Sequence, residues 1–187
     1  MHMTKFYLVR HGYTDYIECD QRKFIGQGRD LAPLTELGKE QILKTSSDER
    51  LKNAEMIISS PYTRALQSAA ILSAELQLDI NVEIDLHEWL PDTSFQFVNT
   101  EQLREYCSDF ELNRGIHPTH SIRNWEEIST LRKRVKDVIE KYQEYDYVIV
   151  VCHGMVIRSL KFIEQISNGE IVEYNYPDDE QYEHWTF

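Results

Sequence analysis

Two tripeptide-scale clusters in this chain bring cations and imidazoles together. Arg10-His11-Gly12 places a guanidinium, an imidazole and a turn residue in succession, with the Thr14 hydroxyl just beyond. His153-Gly154 repeats the imidazole and the turn near the other end of the chain. A third basic group, Arg64, sits in the first turn of an expected helix, where a cation opposes the helix dipole and so makes sense if it faces an anion. Two guanidiniums and two imidazoles are suited to a doubly charged tetrahedral anion, because arginine holds such oxygens bidentately. A neutral histidine can also attack phosphorus, so phosphoryl transfer is the chemistry this set could perform.

Those groups need elements to hold them at one place. Phe6-Tyr7-Leu8-Val9 reads as a buried strand that ends at Arg10, and Tyr147 to Cys152 reads as a second buried strand that ends at His153. In open α/β sheets ligands bind at the carboxyl ends of the strands. Adjacent strands would therefore set the two imidazoles side by side, with Gly12 allowing the backbone to turn and approach a ligand. Between them the pattern predicts a polar loop over 15–32 and a helix capped by Thr35 that ends near Ser47. A strand over 54–59 and a helix opened by Pro61 follow, the helix with a face of small apolar residues. Alternation over 80–86 predicts a half-buried strand. A helix capped by Thr100, one over 126–145, one over 155–166 and a last strand over 170–176 complete the pattern. Strands alternating with helices predict a three-layer α/β/α fold on a mainly parallel sheet. The expected organisation is one domain spanning residues 1–187, with a lid-like excursion at about 92–125 and an acidic, aromatic tail.

Composition sets the outer bounds. The chain has 187 residues, 41% of them hydrophobic and 28% charged, which predicts a soluble globular protein. No apolar run has the length of a membrane span, and no signal segment precedes the first strand, so no membrane partner and a cytoplasmic location are expected. Cys19, Cys107 and Cys152 are odd in number and irregular in spacing, against a disulfide framework. The net charge of −12 disfavours nucleic acid as a partner while allowing a local cationic pocket for a small phosphate ester. Oligomeric state is left open by the sequence.

Five stretches in order resemble the histidine phosphatase superfamily, the phosphoglycerate mutase-like family. They are Leu8-Val9-Arg10-His11-Gly12-Tyr13-Thr14, Pro33-Leu34-Thr35-Glu36-Leu37-Gly38, Ser59 to Ala69, Leu86-His87-Glu88 and Val151-Cys152-His153-Gly154. The resemblance implies a phosphomonoesterase that hydrolyses a small phosphorylated metabolite through a phosphohistidine. It implies His11 as nucleophile, Arg10, Arg64 and His153 as phosphate ligands, and Glu88 as general acid and then base. No cofactor and no metal are implied, the pocket cations taking the part of a metal. The alternatives are a mutase, disfavoured by the short excursion, and a catalytically silent phosphate-binding domain, disfavoured by retention of the full residue set.

The chain departs from the family pattern at Tyr13, at Cys152 in place of a common serine, and at Ile17, where an asparagine often contacts phosphate. Gln27 or Gly28 is the expected substitute for that contact. Asp92, and less so Asp85, compete with Glu88 for the acid role. His117 and His120 flank Pro118 in a turn and are expected in solvent rather than on a metal, and Arg158 is expected to pack or pair. Trp89, Phe95, Phe97, Tyr106 and Phe110 are the residues expected to shape the pocket.

Overall fold

The computed structural model describes residues 2–97 and 99–177; the acidic, aromatic tail lies outside them. Strand β1 (Thr4–Arg10) alternates its side chains between two apolar layers, Phe6 and Leu8 on one face and Tyr7 and Val9 on the other. It is flanked by β4 (Tyr147–Cys152), parallel to it, and by β5 (Ile171–Tyr176), antiparallel. Strands β2 (Met56–Ser59) and β3 (Ile80–Val82) extend the sheet in the order β3-β2-β4-β1-β5. Helices α2 (Glu36–Ser46) and α3 (Thr63–Leu76) cover one face, where Ile42, Ala65, Ala69 and Leu72 meet Tyr7, Val9, Ile57, Ile149 and Val151. The other face packs under α5 (Ile128–Glu140) and α6 (Gly154–Leu160), joined by Phe110 of α4 (Thr100–Leu112) and by Trp125. This is the expected three-layer arrangement on a mainly parallel sheet. Four parallel strands all end at one edge, so Arg10, Ser59 and Cys152 deliver the residues that follow them to the same place.

The element boundaries correct the sequence pattern in physically simple ways. The segment 15–32 is not all loop: it holds a short helix α1 (Ile17–Gln21) and a 3-10 turn over Gly26–Leu31. The helix after β2 starts at Thr63 rather than Pro61, because the Ser60 hydroxyl takes the Tyr62 N–H and keeps that residue extended. Strand β3 is only three residues long, since β2 ends at Ser59 and offers no further partner; Val82 and Ile84 are exposed, against the half-buried expectation. Asn99, not Thr100, caps α4, its side chain accepting from Gln102 N–H at 2.9 Å. Thr35 does cap α2, accepting from Gly38 N–H at 2.9 Å. Helices α5 and α6 are shorter than the pattern predicts. Arg158 holds the chain after α6 in a turn by donating to the Ile163 and Glu164 carbonyls at 2.9 and 2.8 Å, and Arg10 binds the Ile166 carbonyl.

Gly12 meets a different need from the one expected. A Cβ there would stand 2.3 Å from the Gly38 carbonyl oxygen, and one on Gly38 would stand 2.2 Å from the Tyr13 oxygen. The close approach is thus to helix α2, and glycine lets the histidine turn and that helix touch backbone to backbone.

Candidate active site

His11 leaves β1 with its N–H on the Cys152 carbonyl at 3.0 Å, so the parallel β1–β4 pair sets both imidazoles. The two rings meet edge to face with centroids 5.1 Å apart. The Gly12 carbonyl lies 2.8 Å from His11 Nδ1 and accepts its proton, which leaves the lone pair on Nε2. Arg64 Nε–H donates to that Nε2 at 3.3 Å, in keeping with this tautomer. Burial first, and then Arg64 and Arg10, lower the His11 pKa from 6.5 to about 3. His153 is fully buried and is likewise held well below 6.5, by burial and then by Arg64. Both rings are therefore neutral at ordinary pH, and a neutral ring is the one that can attack.

Arg64 is only 4% exposed, an unusual state for a cation. Its Nη1 pairs with Asp30 at 2.9 Å, and its guanidinium lies over the Tyr62 ring, 5.0 Å from the centroid. Tyr62 also packs edge-on against His153, with centroids 5.3 Å apart. His153 Nε2 lies 2.7 Å from the Ser60 hydroxyl. Arg10 Nε and His153 Nδ1 are buried and have no partner among the described residues; Arg10 lines the cavity described below, while His153 lies fully buried behind it. From the loop before β5, the Asn168 amide donates to the His11 carbonyl at 2.8 Å.

Glu88 arrives from the segment after β3, and an arginine on α5 holds it there. Arg134 donates to the Asp85, His87 and Glu88 carbonyls and pairs with Glu126, whose second oxygen also accepts from Leu90 N–H. The Glu88 carboxyl accepts from Trp89 N–H at 2.9 Å and Met155 N–H at 3.4 Å. Burial nevertheless dominates and raises its pKa above 4.5, favouring the protonated form. Asp92 is also buried, but Ser94 and Gln96 saturate its carboxylate through two N–H groups and a hydroxyl, and its pKa is lowered. Two carboxyls on one cavity are thus pushed apart, Glu88 toward its protonated form and Asp92 toward its ionised form. Asp85 is exposed.

Arg10, His11, Thr14, Gln27, Arg64 and Glu88 all line a cavity of about 610 Å³. Gly28 does not line it; its carbonyl faces the Cys19 thiol instead. Thr14 lies 3.4 Å from both His11 Nδ1 and the Gly12 carbonyl. Ile17 is 64% exposed on α1 and turned away from the cavity, while its neighbour Tyr16 lines it. Trp89, Phe95 and Phe97 form walls, whereas Phe110 is committed to the core and Tyr106 packs against it. Cys152 is fully buried, and burial raises its thiol pKa. His117 is not in solvent as expected: its ring packs edge-on against Trp125 with centroids 4.4 Å apart, and its Nε2 lies 2.8 Å from the Trp125 carbonyl. His120 is exposed. Among the described residues no group of three or more His, Cys, Asp or Glu side chains stands ready for a metal ion, and no helix is long and apolar enough to cross a membrane.

Sequence reasoning missed Ser60, Tyr62, Asp30 and Asn168, which contact the histidines and Arg64. Ser60 and Tyr62 lie inside one of the motifs quoted above, directly after a strand end, and that position was the available signal. Asp30 and Asn168 reach the site only through tertiary packing.

Residues 6–175 match the histidine phosphatase superfamily, branch 1. The chain belongs to that family. A Hydrogenobacter thermophilus protein provisionally named phosphoserine phosphatase 2 is 29% identical over 161 residues, which cover 84% of this chain and 77% of the relative. Among solved structures, the mycobacterial glucosyl-3-phosphoglycerate phosphatase superposes with a TM-score of 0.70 at 19% identity, covering 92% of this chain and 90% of that one. A phosphoglycerate mutase from Bacillus anthracis str. Sterne superposes at 0.67 with 21% identity, covering 94% and 88%. At such identities these structures establish the shared phosphoglycerate mutase-like fold, and phosphatases and mutases alike adopt it.

Proposed function

We propose that this histidine phosphatase family member is a phosphomonoesterase acting on a small phosphorylated molecule through a phosphohistidine. The supporting observation is His11: buried, neutral, with its proton fixed on Nδ1 and its Nε2 lone pair beside Arg64 and His153. In the first step Nε2 attacks phosphorus, the P–O ester bond breaks, and Glu88 gives its proton to the departing oxygen. Arg10, Arg64 and His153 bind the phosphoryl oxygens as charge redistributes. In the second step the Glu88 carboxylate takes a proton from water, the water oxygen bonds to phosphorus, and the P–N bond breaks to return neutral His11. Thr14 and Gln27 complete the phosphate end, and the excursion over 92–125 acts as a lid by supplying Asp92, Phe95, Phe97, Leu103 and Cys107 to the cavity. The phosphatase names of its relatives agree with hydrolysis.

The test is a rapid acid-free quench with 32P-labelled ester. Wild type is expected to carry an acid-labile, base-stable phosphoryl group on His11, and folded His11→Ala is expected to carry none and to lose several orders of magnitude in turnover. Turnover near wild type in folded His11→Ala would remove the covalent route. Phosphate release that depends on added bisphosphoglycerate would point to a mutase instead.

A further inference from the structure

The cavity beyond the phosphate-binding nitrogens has a chemistry of its own. Its walls are mainly Tyr16, Tyr62, Trp89, Phe95, Phe97 and Met155, drawn from four separate segments. They surround about 610 Å³, room for a leaving group the size of one or two rings. The charges around it are lopsided. Asp20, Asp30, Glu88 and Asp92 line it, and among the described lining residues the cations are Arg10, Arg64 and Arg29. Arg10 and Arg64 belong to the phosphate end. Arg29 is already engaged: its Nη1 binds the Asp20 carboxylate, and its guanidinium lies over the Tyr16 ring, 5.4 Å from the centroid.

Among the described lining residues, no lysine or arginine stands apart from both the phosphate end and a carboxylate partner to receive a second anionic group. A carboxylate carried by the leaving alcohol would lose water against aromatic carbon and gain acidic neighbours, which is costly without a paired cation. An uncharged ring would instead bury its faces and edges against five aromatic side chains. We infer that the leaving group of the natural substrate is an aromatic or otherwise apolar alcohol bearing no negative charge. This rests on the phosphomonoesterase function proposed above and narrows its substrate class.

The experiment compares esters matched in leaving-group basicity: benzyl phosphate, 4-carboxybenzyl phosphate and 3-phosphoglycerate, each followed by phosphate release. Benzyl phosphate is expected to have the highest kcat/KM, by at least about tenfold over its carboxylated partner, a gap of about 1.4 kcal/mol. Phe95→Ala is expected to lower kcat/KM for benzyl phosphate severalfold, chiefly through KM. Asp20→Asn frees Arg29 and is expected to narrow the gap by raising the carboxylated ester relative to the neutral one. Equal use of the matched pair, or preference for 3-phosphoglycerate, overturns the inference and leaves the phosphatase function standing. Absence of phosphate from all three esters, with no label on His11, overturns both.

Discussion

His11 and Glu88 are two ionisable groups whose surroundings push them away from their ordinary charge states in complementary senses. Burial keeps His11 neutral down to about pH 3, so protonation of the proposed nucleophile is not expected to limit the rate at pH 4.5, where a free imidazole is charged. Burial raises the Glu88 pKa, so the acid is lost as pH rises through that raised value. The expected kcat/KM profile for an alkyl phosphate therefore holds on the acid side and falls on the alkaline side, and Glu88→Gln removes the alkaline fall. The same variant slows a single-turnover burst of alkyl phosphate by about 10²–10⁴-fold more than a burst of nitrophenyl phosphate, whose leaving group barely needs a proton. Equal slowing of both bursts would make Glu88 a binding residue. Arg10, His11, Arg64 and His153 were legible in sequence because each sits at a strand end or a helix start, where local pattern fixes direction. Gly28 was misplaced, and Asp30 and Asn168 were invisible, because their positions depend on how the 15–32 and 161–170 segments fold over the sheet edge.

At the scale of elements, the segment carrying Glu88, the proposed general acid, is fastened from below rather than by its own secondary structure. Strand β3 is short and the 84–86 turn is brief, so Arg134 on α5 supplies the support through three backbone carbonyls and the buried Glu126 pair. Arg134→Met leaves Glu126 without its cation and is expected to cost about 3–5 kcal/mol in urea denaturation. Arg134→Lys keeps the charge but loses the fork. It is expected to lower kcat about ten- to a hundredfold with KM little changed, the loss growing with leaving-group basicity as Glu88 drifts. An equal loss on nitrophenyl phosphate would argue for a general structural role. A second fastening joins the two walls of the cavity: Gly26 N–H donates to the Phe97 carbonyl at 2.9 Å, with φ at +50° and room for no Cβ, which would stand 2.1 Å from the Phe95 oxygen. Gly26→Ala is expected to lower stability by at least about 1 kcal/mol and to raise KM, measured by urea midpoint and initial rates. Strands β1 and β4 were readable because buried strands are continuous apolar runs. Strand β3 was overread because alternation does not reveal where the neighbouring strand stops.

The whole molecule carries the electrostatic cost of its site. His11 and His153 are neutral in the fold, whereas in the unfolded chain an imidazole takes a proton below about pH 6.5. Between pH 6.5 and 3 the unfolded state therefore binds protons that the folded state does not, and stability falls as pH falls through that window. At pH 4.5 the loss is about 3 kcal/mol for His11, two pH units at 1.4 kcal/mol each. Asp48, Asp109 and Glu173, whose pKa values are lowered by hydrogen bonds and by arginine or lysine partners, and Asp92, lowered by hydrogen bonds alone, act in the same direction at lower pH. Glu88 and Asp30, raised by burial, act oppositely and lose stability as pH rises. Thermal melting at pH 7 and pH 4.5 is expected to show a marked drop in wild type and a smaller drop in His11→Ala; an unchanged drop would place the acid sensitivity elsewhere. The three-layer fold was legible because it follows from the order of elements; of the cavity walls Trp89, Phe95 and Phe97 were anticipated, while Tyr16, Tyr62 and Met155 were not, since they reach it from segments far apart in the chain.

The contact between Gly12 and Gly38 bears on how this chain can drift over generations. Each position is already at the smallest side chain, and each forbids a Cβ through a neighbouring carbonyl oxygen. A larger side chain at one site therefore has no compensating reduction at the other. The side chains of Tyr16 and Phe95, each about one third exposed on the cavity rim, meet no such steric bar. Replacing rim residues is therefore expected to change what the cavity accepts, while the histidine turn, locked to α2, is expected to tolerate no such exchange.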